Sequence, residues 1–243
     1  MNVFTSRAAR PLVSARRYPT RRWRSISTQP SSGPVPRKIS ESTVRRLSHY
    51  LRSLEALEAE GETTVSSEEL ARRGSTTAAQ VRKDLSLFGS FGKRGLGYTV
   101  SELATSLKEI LGLDREWRLG LVGAGRIGSA IFHYEGFLRR GFRIVTIVDA
   151  DPEKVGTRWS GVEIRPDEEL EAAFREAEVD IAVVAVPGPV AQAVTDRLVK
   201  TGIRSVLNFA PVHLRLPDDV MVKDVNLVVE LEALSFALTR GEE

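Results

Sequence analysis

The chain contains no cysteine, and its three histidines, His49, His133 and His213, are scattered along 243 residues. Disulfides, thiolate metal ligands and thiol redox sensing are thereby excluded, and no metal site is expected. A redox signal would have to enter through a bound molecule. Long apolar runs are also missing: the strongest, Leu119–Val122 and Ile181–Val186, stop at Gly123 and Pro187, well short of the ~20 residues that a membrane-spanning helix requires. No membrane partner is expected, and the chain reads as a soluble, cytoplasmic protein. Its 42% of apolar residues suffice for two modest domains, each with its own core.

Acidic residues are absent from one end. Residues 1–40 hold nine of the 35 Lys and Arg and none of the 32 Asp and Glu, leaving residues 41–243 with 26 basic against 32 acidic side chains. The formal net charge of +3 is therefore set by that end and is poor evidence that the folded body binds nucleic acid. Residues 1–38, rich in Arg, Ser and Pro and without a sustained period, are expected to be a disordered basic tail. Three readings of it compete: a targeting segment, an arm adding nonspecific phosphate contacts, and a translation start assigned too far upstream. The last is preferred, because the domains that follow need nothing from the tail.

From Ser42 to Glu60 the apolar residues Val44, Leu47, Leu51, Leu54 and Leu57 recur at spacings of three and four, which predicts an amphipathic helix ended by Gly61. A short second helix should start at Ser66, with Glu69 completing a capping box, and stop at Gly74. The third helix carries the chemistry. Thr76 or Thr77 caps it, and Ala78, Val81, Leu85 and Phe88 turn one face inward, leaving Gln80, Arg82, Lys83 and Ser86 outward. Long donors on the outer face of a third helix suit the reading of base edges and the clamping of phosphates. The run GSFGKRGLGY then places four glycines around Lys93 and Arg94, as a tight hairpin with a basic tip requires. Residues 39–98 thus read as a winged helix-turn-helix for double-stranded DNA. A connecting helix and linker follow at 99–116, where Leu103, Leu107, Ile110 and Leu111 keep helical spacing.

Residues 117–225 carry a second signature. A strand at Trp117–Val122 runs straight into Gly123, Ala124, Gly125, Arg126, Ile127 and Gly128, the GxGxxG turn that cradles a pyrophosphate at the start of a helix. The next strand, Phe142–Val148, ends in Asp149, 21 residues beyond Gly128, where a carboxylate accepts the adenosine ribose hydroxyls. Asp149 and Asp151 should repel a 2′-phosphate, favouring NAD(H) over NADP(H). Further strands at Asp180–Val186 and Ile203–Phe209 alternate with helices, as a Rossmann-like parallel sheet demands. Val186 and Pro187, with Asn208, Phe209, Ala210 and Pro211, are expected to line the nicotinamide side. His133 and His213 lie in no catalytic context and read as structural. Beyond the sheet, residues 226–243 form a terminal helix with Leu227, Leu231, Leu234 and Leu238 down one side and Val228, Phe236 and Ala237 elsewhere. Apolar on more than one side, it needs more than one partner surface, which points to a subunit interface.

In order of occurrence, QVRKDLS, the FGxxGxGY wing, GAGRIG, DADPEKVG and LNFAP make the chain from Ile39 to Gly241 resemble the Rex family of redox-sensing transcriptional repressors. The resemblance implies a homodimer with one winged-helix and one Rossmann-like domain per subunit, exchanging the terminal helices. It implies a regulator, not an enzyme, that binds a pseudo-palindromic operator when NADH is scarce and leaves it as NADH rises over NAD⁺. It also implies that Tyr134 stacks near the nicotinamide, and that Arg52 on the first helix pairs across the dimer with an aspartate just before the terminal helix. Here that position is Asn226, followed by Leu227 where a phenylalanine can occur, so the expected charge is missing. Two other readings stay open: an NAD-dependent oxidoreductase with an accessory helical domain, and a CoA-binding module in an interaction protein.

Overall fold

The computed structural model describes residues 39–92 and 95–240. The basic tail and the wing-tip pair Lys93 and Arg94 lie outside the described residues. Ser40 caps α1 (Glu41–Ala59) by accepting from the Thr43 N–H. This helix buries Leu47, Tyr50, Leu51, Leu54 and Leu57, whereas Val44, expected on the same face, is exposed. Strand β1 (Thr64–Val65) leads into α2 (Ser67–Arg73), where Ser66 accepts from the Glu69 N–H. Only half of the expected capping box forms, because the Glu69 carboxylate is drawn to Arg72 and Arg73. Helix α3 (Ala78–Ser86) crosses beneath, and β2 (Tyr98–Thr99) pairs antiparallel with β1. The strand that closes the wing therefore pairs with β1, where the sequence suggested a self-contained hairpin. Helix α4 (Val100–Ile110), expected as a connector, packs Val100, Leu103, Ala104 and Leu107 into the same core as α1 and α3.

At the crossing of α1 and α3 sits a charge. Asp84 is 1% exposed, yet its carboxylate accepts from Arg46 Nε at 2.6 Å and Nη2 at 2.8 Å, from Gln80 Nε2 at 2.7 Å and from the Tyr50 hydroxyl at 3.0 Å. Burial alone would raise the Asp84 pKa, but these donors, Arg46 foremost, hold it below its ordinary value. Burial, followed by the carboxylate beside it, pushes the Tyr50 phenol up to about 12.

The second module is a seven-stranded sheet. It is built from β3 (Trp117–Val122), β4 (Phe142–Asp149), β5 (Arg158–Trp159), β6 (Val162–Pro166), β7 (Ile181–Val184), β8 (Ser205–Asn208) and β9 (Met221–Asp224), in the order β5-β6-β4-β3-β7-β8-β9. All neighbours are parallel except β5 against β6. The strands foreseen after β4 are shorter than expected; β5, with two residues, and β9, without alternation, leave no pattern, whereas β6 alternates through Val162, Glu163, Ile164 and Arg165 and was not foreseen. Helices α5 (Arg126–Phe132) and α6 (Glu135–Arg139) follow β3, α7 (Leu170–Glu176) precedes β7, and α8 (Gly188–Lys200) joins β7 to β8. Alternation along β3 separates two cores: Leu119 and Leu121 pack with Ile131 and Ile147, while Val122 packs with Phe174, Val184 and Leu198. The chain order along the sheet reverses between β3 and β7, and their carboxyl ends open the crevice where α/β sheets bind ligands.

Helix α9 (Leu227–Arg240) has no buried residue, although Leu227, Leu231, Leu234, Phe236 and Leu238 are each more than half exposed hydrocarbon. Among the described residues no helix is long and apolar enough to cross a membrane.

Removing one partner from the buried Asp84 network leaves Arg46 uncompensated. Asp84→Ala should therefore cost about 3 kcal/mol of unfolding free energy, the low end of the usual range because Arg46 is 27% exposed, read as a lower urea midpoint at pH 7. Since the folded pKa of Asp84 lies below its ordinary 3.8, its contribution is complete above that value and lost as pH falls through the folded one. The deficit of the variant should shrink in that window.

Candidate functional site

Thr77 opens the exposed face of α3 by accepting from the Gln80 N–H at 3.1 Å. Arg82 and Lys83 are exposed on that face, and Ser86 donates its hydroxyl back to the Lys83 carbonyl. Gln80 departs from expectation: it is half-buried, because its amide is committed to Asp84. Arg82 donates to Glu68 of α2 at 3.3 Å, and both side chains are well exposed, so the contact is weak and easily exchanged for a phosphate or a base edge. A groove of about 640 Å³ runs between the start of α2, the outer face of α3 and the Gly-rich segment. That segment is closed by Gly97, which takes φ +77° where a side chain would run into the Val65 carbonyl.

At the sheet's switch point Gly123 takes φ +99°, and a Cβ there would collide with the carbonyl of Ala185 beyond β7. A Cβ on Gly128 would collide with the Gly123 carbonyl, whereas one on Gly125 would meet open space. The three glycines thus have different duties. Gly123 and Gly128 let strand, turn and helix close on one another, and Gly125 leaves the backbone bare toward the crevice. Arg126, the first residue of α5, is exposed beside it. Asp149 at the end of β4 accepts from the Ala124 N–H at 2.5 Å and from the Asp151 N–H at 2.8 Å. Its carboxylate braces the turn and, with two oxygens, keeps lone pairs for ribose hydroxyls. Lys154, which sequence reasoning missed, stands 2.9 Å from Asp151 and 3.7 Å from Asp149. Lys154 thus offsets the charge of Asp151 more closely than that of Asp149.

Farther along the crevice Tyr134, Ile127, Phe209, Pro211, Asn226 and Leu227 line an apolar cavity of about 590 Å³. Val186 borders Gly123, and Pro187 caps α8. Asn208 and Ala210 are corrections. Asn208 is 0% exposed; its amide donates to the Val212 carbonyl and to Asp224 and accepts from the Ala210 N–H, so it staples the loop that carries Phe209 and Pro211. Ala210 is buried in the core behind. Alternation at a strand end decides which side chain faces the crevice, and the LNFAP string does not reveal it. Arg52 is exposed on α1, and Asn226 accepts from the Val228 N–H at 3.0 Å, capping α9. His133 is bonded through Nδ1 to the Ser129 carbonyl, and His213 lies 3.4 Å from Asp224. No metal-holding group of His, Cys, Asp and Glu occurs among the described residues.

The crevice fits a dinucleotide: a bare glycine turn at a helix start, a carboxylate at the end of β4, and an apolar cavity beyond. With a winged helix on the same chain, fold and crevice define a DNA-binding regulator built on a dinucleotide fold. Family models agree by halves, "Putative DNA-binding protein N-terminus" over residues 38–86 and "CoA binding domain" over residues 114–212. The redox-sensing transcriptional repressor Rex of Carboxydothermus hydrogenoformans is 49% identical, the match covering 84% of this chain and 98% of that one. The Streptomyces coelicolor repressor of the same name is 44% identical over 85% and 81% of the two chains. Among solved structures, RSP in complex with β-NAD⁺ and operator DNA superposes with a TM-score of 0.81 at 38% identity, covering 84% of this chain and 94% of that one. RSP in complex with β-NADH gives 0.76 at 37%, over 84% and 96%. The chain belongs to the Rex family of redox-sensing transcriptional repressors.

The glycine geometry separates folding from binding. Gly128→Ala should lower the thermal midpoint by several degrees, as an overpacked contact against backbone costs about 1–3 kcal/mol. Gly125→Ala, with open space around its Cβ, should leave the midpoint within about a degree or two, since surface changes stay within about 0.5 kcal/mol. Equal midpoints for the two variants in a calorimetric scan would contradict this division.

Proposed function

We propose that the protein is a transcriptional repressor that reports the NADH/NAD⁺ ratio to DNA. It binds a pseudo-palindromic operator when NADH is scarce and leaves it when NADH binds. The observation that carries this reading is the union of an exposed, donor-bearing third helix with a dinucleotide crevice in one fold. Relatives of the same build have been captured with β-NAD⁺ and operator DNA, and with β-NADH. NAD(H) therefore replaces CoA as the ligand of the second module, and the oxidoreductase reading is set aside because the family consists of repressors, not enzymes. Its place of work is the cytoplasm.

Gly123, Gly125, Arg126 and the start of α5 would hold the pyrophosphate, Asp149 the adenosine ribose, and Tyr134 with Phe209 and Pro211 the nicotinamide end. Arg82 and Lys83 would carry most of the DNA affinity, joined by Thr77, Ser86 and the wing-tip residues Lys93 and Arg94. The working unit is a homodimer. Helix α9 exposes hydrocarbon on more than one side, and over β7 to β9 the sheet presents Ile181, Leu207 and Met221 in an apolar recess of about 290 Å³. An exchanged α9 from a second copy would cover that face and set Asn226 near Arg52 of the partner subunit.

Titration of the full-length protein onto operator duplex at varied NADH:NAD⁺ ratio tests the reading. Operator should be released as NADH rises, at concentrations where NADPH has little effect. Gly125→Val should give a protein that binds operator but no longer responds to NADH. A parent indifferent to NADH, or a fully responsive Gly125→Val variant, would remove the crevice from the mechanism.

On the DNA side, Arg82→Ala or Lys83→Ala should weaken operator binding by about 1–3 kcal/mol if the residue reads a base, and by a smaller, salt-sensitive amount if it meets only phosphate. NADH affinity should be unchanged. If the double variant binds operator as the parent does at moderate salt, α3 is not the reading helix.

A further inference from the structure

Glu55 lies on α1 and Arg140 closes the C-terminal end of α6. The guanidinium meets the carboxylate fork to fork, with Nη1–Oε1 2.9 Å and Nη2–Oε2 2.6 Å. Their side chains are only 26% and 31% exposed, and Lys108 of α4 stands 3.6 Å from the same carboxylate. Such bidentate pairs are the stronger, geometrically demanding kind of ion pair. A second pair, Lys223 with Glu41, also joins α1 to the sheet, but about half of each side chain is exposed.

The location of Arg140 is informative because of α6 itself. This helix has five residues and buries none of them fully; of these Phe137, half-buried, packs against the sheet core, so the helix is held by one aromatic side chain and by its two ends. Its N-cap is Tyr134, whose ring lies so close over Gly136 that a Cβ there would overlap it, and which meets Phe137 edge-on at 5.2 Å. One end of α6 is thus part of the wall of the apolar cavity. The other end is bonded to the helix that carries the DNA-binding core.

We propose that Arg140 and Glu55 are positioning residues for the coupling between the two binding sites: the pair sets where α6 stands against α1, and through α1 how occupancy of the crevice bears on α3. This rests on the function proposed above. From Glu55 the route runs along one helix to Arg46, nine residues away and so about 14 Å at 1.5 Å per residue, and Arg46 holds Asp84 of α3. A ligand shifts such an equilibrium only through contacts that differ between the two states. Tyr134 is placed to feel the ligand, and a fork-to-fork bond tolerates one arrangement of α6 and is lost in another.

The test uses the full-length protein and operator duplex, with dissociation constants measured at saturating NAD⁺ and at saturating NADH. Glu55→Gln and Arg140→Gln should each change the ratio of the two constants by at least about threefold, the scale of coupling-network effects. The double variant should go no further than either single one, because both remove the same contact. Thermal unfolding, followed in parallel, separates coupling from stability: a pair that merely stabilises the fold would lower the midpoint and leave the ratio unmoved. An unmoved ratio, or strictly additive changes, in a background where the parent responds to NADH overturns this proposal alone. A parent that fails to respond takes the function reading down with it.

Discussion

Asp84 is held at the crossing of α1 and α3 by Arg46, Gln80 and Tyr50, and a buried carboxylate is tolerable only while such donors stay in place, so it fixes the angle at which α3 meets its surroundings. The apolar contacts of Val81 and Leu85 are non-directional and would accept small rotations of the helix. The charged network would not. It also spends Gln80 on support, which leaves Lys83, and Arg82 with its loose contact to Glu68, as the long donors on the outer face. Because Arg46, Tyr50 and Glu55 share α1, the helix that orients α3 is also the one bonded to α6.

Electrostatics divides the chain. Residues 116–243 carry 21 acidic against 15 basic side chains, a balance that repels a phosphate backbone, and the α3 surface offers the local cations instead. Within the acidic module, the start of α5 and the N–H groups of the glycine turn provide the positive potential that a pyrophosphate needs. Asp149 serves both sides of this arrangement: it braces the Ala124 N–H and, in the proposed reading, would take the ribose hydroxyls. Lys154 tempers the charge of Asp151 beside it, so in the proposed reading Asp149 would be the main carboxylate facing the 2′ position.

Coupling between two such sites is a difference between binding energies in two arrangements, typically about 1–3 kcal/mol. Devices of that size are small beside the cores they act through: one ion pair, one aromatic side chain, one short helix with no buried residue. A neutral Asn226 where the family resemblance implies an aspartate could not form the charge-assisted bond to Arg52 that the resemblance implies, a bond of roughly twice the strength of a neutral one. Asn226 instead caps α9, which gives it a local duty independent of any partner.

Much of the fold was legible because periodicity and turn chemistry are local. The spacing of Leu47, Leu51 and Leu54, the Ser66 cap, the GxGxxG turn after a strand and the carboxylate at Asp149 are each dictated within a few residues. Asp84 left a faint signal, a charged residue three positions after Val81 on the inward face, but nothing local names Arg46 as its partner 38 residues earlier. Strand β5 has only two residues and β9 does not alternate, so sheet pairing alone defines them; β6 does alternate through Val162, Glu163, Ile164 and Arg165 and was missed. Strand-end geometry turned Phe209 and Pro211 to the cavity and withdrew Asn208 and Ala210. The sequence by itself determined the two modules, their order and the chemistry each could perform, since these depend on neighbouring residues. Tertiary structure alone decided which side chains face a ligand, which are spent as supports, and that Glu55 and Arg140, 85 residues apart, meet at the junction, since such contacts depend on how distant segments pack.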